Sequence, residues 1–218
     1  VYDPLADRVI DLVGGQDDLR RGVVRAIGEP RARFEEDRLR MIRAVRFAAS
    51  LKFEIDLPTF AAIQMLAPSV AVISWERIGD EITRILTEGG AQRGFELLDR
   101  SGLLQIILPE IVAMKGTAQS PDYHPEGDVF THLCLMLRQL PANADELLPW
   151  AVLLHDVAKP VTASRDPQTD SIHFYEHEKI GAKIRTVGLE RHIAGHVEHD
   201  AIADACDAYA GALQSLSE

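Results

Sequence analysis

The sequence predicts a mainly all-α chain with a small β segment at its start. Three observations predict it. Short apolar runs that read as strands are confined to the first 28 residues. From residue 35 onward, apolar residues recur at helical period. Gly and Pro then divide that periodic sequence into helix-sized lengths.

Val9 to Val13 reads as a short strand ended by Gly14-Gly15, and Val23 to Ile27 as a returning strand. Gly28-Glu29-Pro30 is a break. Over 35–51, Leu39, Ile42, Val45 and Ala49 form one helical face, with Arg40, Arg43 and Phe47 on another. Pro58 opens a short helix that ends before Pro68. Ser74 is a plausible N-cap for a helix carrying Ile78, Ile82, Ile85 and Leu86, which Gly89-Gly90 ends. A further helix carries Phe95, Leu97 and Leu98, with Gly102 suited to its C-terminal end. Residues 116–128 are rich in Gly, Pro, Ser and Asp and mark the expected boundary. Beyond it helices are expected near 129–140 and 146–158. A polar loop over 164–170 then precedes a helix beginning near His173, and an Ala-rich helical stretch covers 190–216.

The 218 residues, 46% of them hydrophobic, are enough for real cores and exclude a disordered chain. No apolar run reaches the roughly 18 residues of a membrane span, so no membrane partner is expected. Cys134 and Cys206 have no metal or disulfide spacing and fit a reducing, cytoplasmic setting. The chain opens on Val1 rather than Met, with no signal-peptide pattern, and is expected to be a fragment lacking its upstream part. A net charge of −11 argues against a protein that coats nucleic acid everywhere. Yet ten Lys or Arg residues lie between Arg20 and Lys52 against four acids. From charge alone that segment is either a local anion site or a solvated helix face.

The pattern Gly14-Gly15, Phe34, Glu36-Asp37, Arg40, Arg43, Arg46-Phe47 resembles class II tRNA nucleotidyltransferases and their poly(A) polymerase relatives. The likeness continues through Phe53 to Asp56 and Glu76 to Glu81, covering most of residues 1–115. It implies a nucleotidyltransferase head whose last edge is 1–28, then a helical neck and body over 29–115. It also implies a role for Asp37 and Arg40 as an amino-acid template for the incoming base. The chemistry is sound, because a carboxylate accepts from an exocyclic amine and a guanidinium donates to a ring nitrogen or carbonyl. ATP and CTP both offer an amino group beside a ring acceptor. Asp37 and Arg40, three apart on one expected helix, would share a face. Arg43 and Arg46 would extend the nucleotide-binding surface toward phosphate or RNA backbone. Arg77 and Glu81, four apart, are expected to pair behind that helix. Without the resemblance, Asp37 and Arg40 read first as an ordinary helical ion pair.

Nucleotidyl transfer needs carboxylates that hold Mg2+ ions, which the family places in a Gly-Gly-x-x-Arg-Asp turn and an Asp-x-Asp strand. Neither pattern occurs here. Asp17-Asp18 is adjacent rather than alternating and is not assigned that role. The chain alone is therefore not expected to transfer nucleotides.

Beyond residue 128 stand His132, His155-Asp156 with Lys159-Pro160 following, and His173 to Ala182 with His177 within it. This resembles the HD superfamily of metal-dependent phosphohydrolases and implies an all-α HD domain over 129–218. Its divalent metal would be held by His132, His155, Asp156, His177 and a late aspartate, Asp207, with Asp204, His196 and His199 as further candidates. Lys159 is expected to contact phosphate, and His173 either to contact phosphate or to support a metal ligand from behind. A degenerate HD scaffold kept for RNA docking is the alternative. Three functions follow: an RNA 3′-end nucleotidyltransferase acting on tRNA or another RNA 3′ end with ATP and CTP, an HD phosphohydrolase, or a noncatalytic RNA-binding module.

Overall fold

The computed structural model describes residues 2–120, 124–141, 145–181 and 183–184. The chain enters through β1 (Tyr2–Asp3) and β2 (Arg8–Val9), an antiparallel pair with Tyr2 opposite Val9. The strand expected over 9–13 stops at Val9 because Asp11 turns the backbone. Its carboxylate accepts from the N–H groups of Val13, Gly15 and Gln16 at 2.8 to 3.1 Å, and these hold its pKa down. This turn feeds α1 (Gly15–Arg21). The expected returning strand shortens to β3 (Val23–Val24) and pairs in parallel with β4 (Glu54–Ile55), not with the first strands.

Helices follow. Glu29 caps α2 (Pro30–Glu36) by accepting from Arg31 and Ala32, with Pro30 at the first position. The single helix expected over 35–51 is broken: α2 ends at Asp37, whose backbone is extended, and α3 (Leu39–Ser50) starts anew. The Asp37 carboxylate accepts from the Leu39 N–H at 3.2 Å, giving the new helix its first capping contact. Asp56 caps α4 (Leu57–Leu66), and a 3-10 turn (Ala67–Val72) leads to α5 (Trp75–Thr87). Next come α6 (Ala91–Arg100), α7 (Leu103–Ile107) and α8 (Pro109–Val112). After the 116–128 segment lie α9 (Val129–Arg138), α10 (Leu147–Leu154) and the short α11 (Lys159–Thr162).

The helix expected near His173 starts at His177, and the residues before it form an antiparallel hairpin of β5 (Ala163–Arg165) and β6 (Ile172–Phe174). The polar stretch 164–170 supplies its turn, with the Asp166 carboxylate accepting from Gln168 and Thr169. The helix expected over 190–216, with Asp207, Asp204, His196 and His199, lies outside the described residues.

The core is built on α3, packed against α5 and α6. Close approach there depends on Gly94, where an added Cβ would sit 2.3 Å from Ile85 Cγ2. Val129, Leu133, Leu137 and Trp150 join the same buried cluster as Ile42, Ile82 and Phe95. Trp150 also donates its indole N–H to Thr83 Oγ1 at 3.1 Å. Helices before residue 116 and after residue 128 therefore contribute to one buried cluster. Among the described residues no helix is long and apolar enough to cross a membrane.

Candidate functional site

Two constellations stand out, one at the α2–α3 break and one where α9, α10 and the hairpin meet. At the break, Asp37 and Arg40 are held together by a turn rather than by a common helix. The Arg40 N–H donates to the Asp37 carbonyl at 3.2 Å. Each side chain has a fixed outer partner. Arg77 Nη2 lies 3.5 Å from Asp37 Oδ1, while Arg40 Nη1 donates to Glu36 at 2.9 Å and to the Arg33 carbonyl at 3.1 Å. Arg33 and Arg40 hold Glu36 ionised, with the Arg40 hydrogen bond the largest influence. Beside this junction a cleft of about 250 Å³ is lined by Arg33, Arg40, Arg43, Phe47, Val24 and Thr59 among others.

Arg43 and Arg46 part company. Arg43 is half-exposed and uses its Nε on Glu81 at 2.7 Å. Its hydrogen bond to Glu81 raises its pKa, so its charge is permanent. Arg46 has a side chain only 8% exposed, between Glu81 at 3.0 Å and Glu88 at 3.0 Å. The expectation that Arg46 extends a phosphate-binding surface is thus corrected: burial places it in the scaffold. The Arg46 Nε to Glu81 Oε2 contact is close but poorly directed, leaving both atoms without a formal hydrogen bond. The expected Arg77–Glu81 pair is also replaced, since Arg77 reaches Asp37 and Glu81 reaches the two α3 arginines.

Asp17 and Asp18 lie on α1, not on a strand, and each is taken up by arginine. Asp17 faces Arg20 and Arg21, and Asp18 pairs with Arg25 at 2.6 Å. They do not fit a Mg2+ pair.

The second constellation brings four predicted residues together. Ligand atoms of His132, His155 and Asp156 lie within 4.8 Å of one another. His177 Nε2 joins through Asp156 Oδ1, at 4.0 Å. Every histidine here has its Nδ1 engaged by an oxygen. His155 Nδ1 lies 2.8 Å from the Val152 carbonyl, His177 Nδ1 2.9 Å from the Phe174 carbonyl, and His132 Nδ1 2.5 Å from Glu126 Oε1. Such contacts orient each ring through Nδ1, the arrangement in which Nε2 is the atom offered to a metal. Asp156 is 3% exposed. Burial works to raise its pKa, but His155 and Lys159 win and hold it well below the usual carboxylate range. Its Oδ2 is buried without a well-directed hydrogen bond, although His155 Nε2 is 3.1 Å and Lys159 Nζ 2.8 Å away. Burial lowers the His132 pKa against the pull of Glu126, favouring the neutral ligand form.

The two expected phosphate contacts fare differently. Lys159 is buried on Asp156 and on Gln119 Oε1 at 2.7 Å, a structural position rather than an open phosphate contact. His173 stacks on Tyr175 at 5.4 Å on the hairpin and is not among the clustered ligands. The sequence reading missed His124 and Glu126 because they stand in a stretch whose Gly and Pro content marked it as linker. Their signal was a histidine and an acid eight and six residues ahead of His132.

A family model described as the probable RNA and SrmB-binding site of polymerase A matches residues 52–114. An A-adding tRNA nucleotidyltransferase of Deinococcus radiodurans is 39% identical over 192 residues, which is 84% of this chain and 43% of that protein. A multifunctional CCA protein of Neisseria gonorrhoeae is 37% identical over 159 residues, 71% of this chain and 38% of the relative. The chain spans less than half the length of these curated relatives. The crystal structure of the Bacillus stearothermophilus CCA-adding enzyme in complex with CTP aligns with a TM-score of 0.52 at 23% identity, over 91% of this chain and 52% of that one. The likeness to that structure is one of fold, a helical neck and body. The chain belongs to the tRNA nucleotidyltransferase and poly(A) polymerase family.

Proposed function

We propose that this chain is the base-reading neck and body of an RNA 3′-end nucleotidyltransferase. In this reading, 1–28 is the last edge of the catalytic head, 29–115 the neck and body, and 129–218 an HD-type metal region. Asp37 would accept from the exocyclic amine of ATP or CTP, and Arg40 would donate to the neighbouring ring acceptor. The half-exposed Arg43 would meet phosphate or RNA backbone. The RNA partner would be tRNA or another RNA 3′ end, and the catalytic metal, Mg2+, would sit in the head. The observation that carries the reading is the α2–α3 break. It holds Asp37 and Arg40 one turn apart beside an arginine-lined cleft, with Arg77 and Glu36 steadying them from outside. Positioned donors and acceptors of this kind discriminate because a wrong base leaves them unpaired.

The test uses the complete reading frame containing this chain. Asp37→Ala should blur discrimination between CTP and ATP, read as the ratio of their kcat/KM values, more than it slows turnover at saturating nucleotide. Unchanged discrimination would refute the template role.

The convergence of three Nδ1-anchored histidines on Asp156 favours a second reading of the region beyond 128. We propose that His132, His155, Asp156 and His177 seat one divalent ion, with Asp207 as a further candidate outside the described residues. Neutral imidazole with one buried carboxylate suits a transition metal better than Mg2+. Once bound, such an ion can polarise a phosphate and activate water. Metal analysis of His155→Ala against the parent chain tests this reading, and equal metal content in both would end it.

A further inference from the structure

Glu126 precedes α9 and touches two imidazoles through one oxygen. Its Oε1 lies 2.5 Å from His132 Nδ1 and 3.1 Å from His124 Nδ1. The three side chains are largely sheltered, and the rings of His124 and His132 meet edge to face at 4.7 Å. His155 and His177 set their Nδ1 on backbone carbonyls, whereas His132 sets its own on a carboxylate. A carboxylate is the stronger acceptor and makes the imidazole behind it a better donor to metal.

We infer that Glu126 is a positioning residue for the metal centre: it takes the Nδ1–H of His132 and fixes the His132 Nε2 lone pair on the side of His155 and Asp156. His124, on the same oxygen, holds Glu126 in place. The inference rests on the metal reading proposed for His132, His155, Asp156 and His177. His124, Glu126 and His132 also form a triad of potential ligand atoms within 4.8 Å of one another. Geometry favours positioning over a second ion. Two ligands of one tetrahedral ion, each about 2.0–2.2 Å from it, sit roughly 3.3 Å apart. The Glu126–His132 separation of 2.5 Å is shorter than that and puts the two atoms in direct hydrogen-bonding contact, with no room for an ion between them.

The 218-residue chain with Glu126→Gln, Glu126→Ala and His155→Ala tests this, using Co(II) as the probe. In the metal-free parent, long-range 15N–1H correlations should show His132 protonated at Nδ1, and Glu126→Ala should lose that preference. Co(II) affinity should fall about tenfold in Glu126→Gln and about 10- to 100-fold in Glu126→Ala. The visible absorption bands should shift while stoichiometry stays at one ion and far-ultraviolet circular dichroism is unchanged. His155→Ala should lose binding. Parent-like affinity in both Glu126 variants overturns the inference and leaves the metal reading standing. Two ions in the parent falling to one in Glu126→Ala makes Glu126 a ligand and overturns it as well. A parent chain that binds no Co(II) removes the metal reading and the inference with it.

Discussion

Arg46 and Glu81 are buried side by side, and neither is tolerable without the other. Glu81 is 2% exposed and faces both Arg43 and Arg46. Removing one partner of a buried pair leaves an uncompensated charge, at about 3 kcal/mol or more. Glu81→Ala should therefore lower unfolding free energy by about 3 kcal/mol, whereas Arg43→Ala, at a half-exposed position, should cost under about 1 kcal/mol. Urea denaturation compares them, and similar small costs for both would contradict the scaffold role of Glu81. Asp156 follows the same logic, because Asp156→Ala would strand the buried Lys159. Its pKa is depressed on folding, so its stabilisation is present above the unfolded carboxylate value of about 3.9 and is lost as pH falls toward the folded value. Metal-free Asp156→Asn should lose less stability than the parent between about pH 4 and pH 2, measured by denaturant midpoints. An unchanged acid slope would count against the depressed carboxylate. The His155-Asp156 doublet was legible because such a pair within an apolar helix is uncommon. The burial of Arg46 was not, since nothing local to it names Glu81, 35 residues on, or Glu88.

At the level of elements, α3, α5 and α6 meet through small residues. Gly94 faces Ile85, and Gly90, at φ 83°, would place a Cβ 2.5 Å from the Ala49 carbonyl oxygen. Gly94→Ala should cost about 1–3 kcal/mol by overpacking, seen as a lower denaturant midpoint. A neutral substitution would mean that α5 and α6 pack less closely than described. The helices around Ile78 to Leu86 and Phe95 to Leu98 were legible from period and flanking glycines. The break at Asp37 was not, because Phe34, Leu39, Ile42 and Val45 keep an apolar rhythm across it. The break is set by the Asp37 side chain and its extended backbone, and it gives Asp37 a structural duty besides base reading. Losing that capping contact should cost about 1 kcal/mol in Asp37→Ala. Asp37→Asn keeps an acceptor oxygen for Leu39, so it separates folding from nucleotide selection. The hairpin at 163–174 was read as loop and helix because Asp166, which closes its turn, is also an ordinary loop residue.

Across the described residues, one core joins the helices before residue 116 to those after residue 128, through Trp150 on Thr83 and through α9 against α6. Composition marks 116–128 as a break in helical periodicity and as the expected boundary, but it does not say whether side chains on either side of it share a core. The described residues should unfold as one cooperative unit, with tryptophan fluorescence and circular dichroism giving the same urea midpoint. Two separated transitions would restore the boundary. The arginine cleft and the histidine cluster are two constellations on this single body. Nucleotide addition at an RNA 3′ end is the activity we propose for the complete protein. The most direct measurement incubates the complete reading frame, and this chain as control, with tRNA lacking its 3′ end and labelled CTP or ATP, and then sizes the products. Template-independent addition of C, A or both by the complete protein, with selectivity lost in Asp37→Asn, is the predicted result. No incorporation, or incorporation with unaltered selectivity in Asp37→Asn, would contradict the reading of the α2–α3 junction as the base selector.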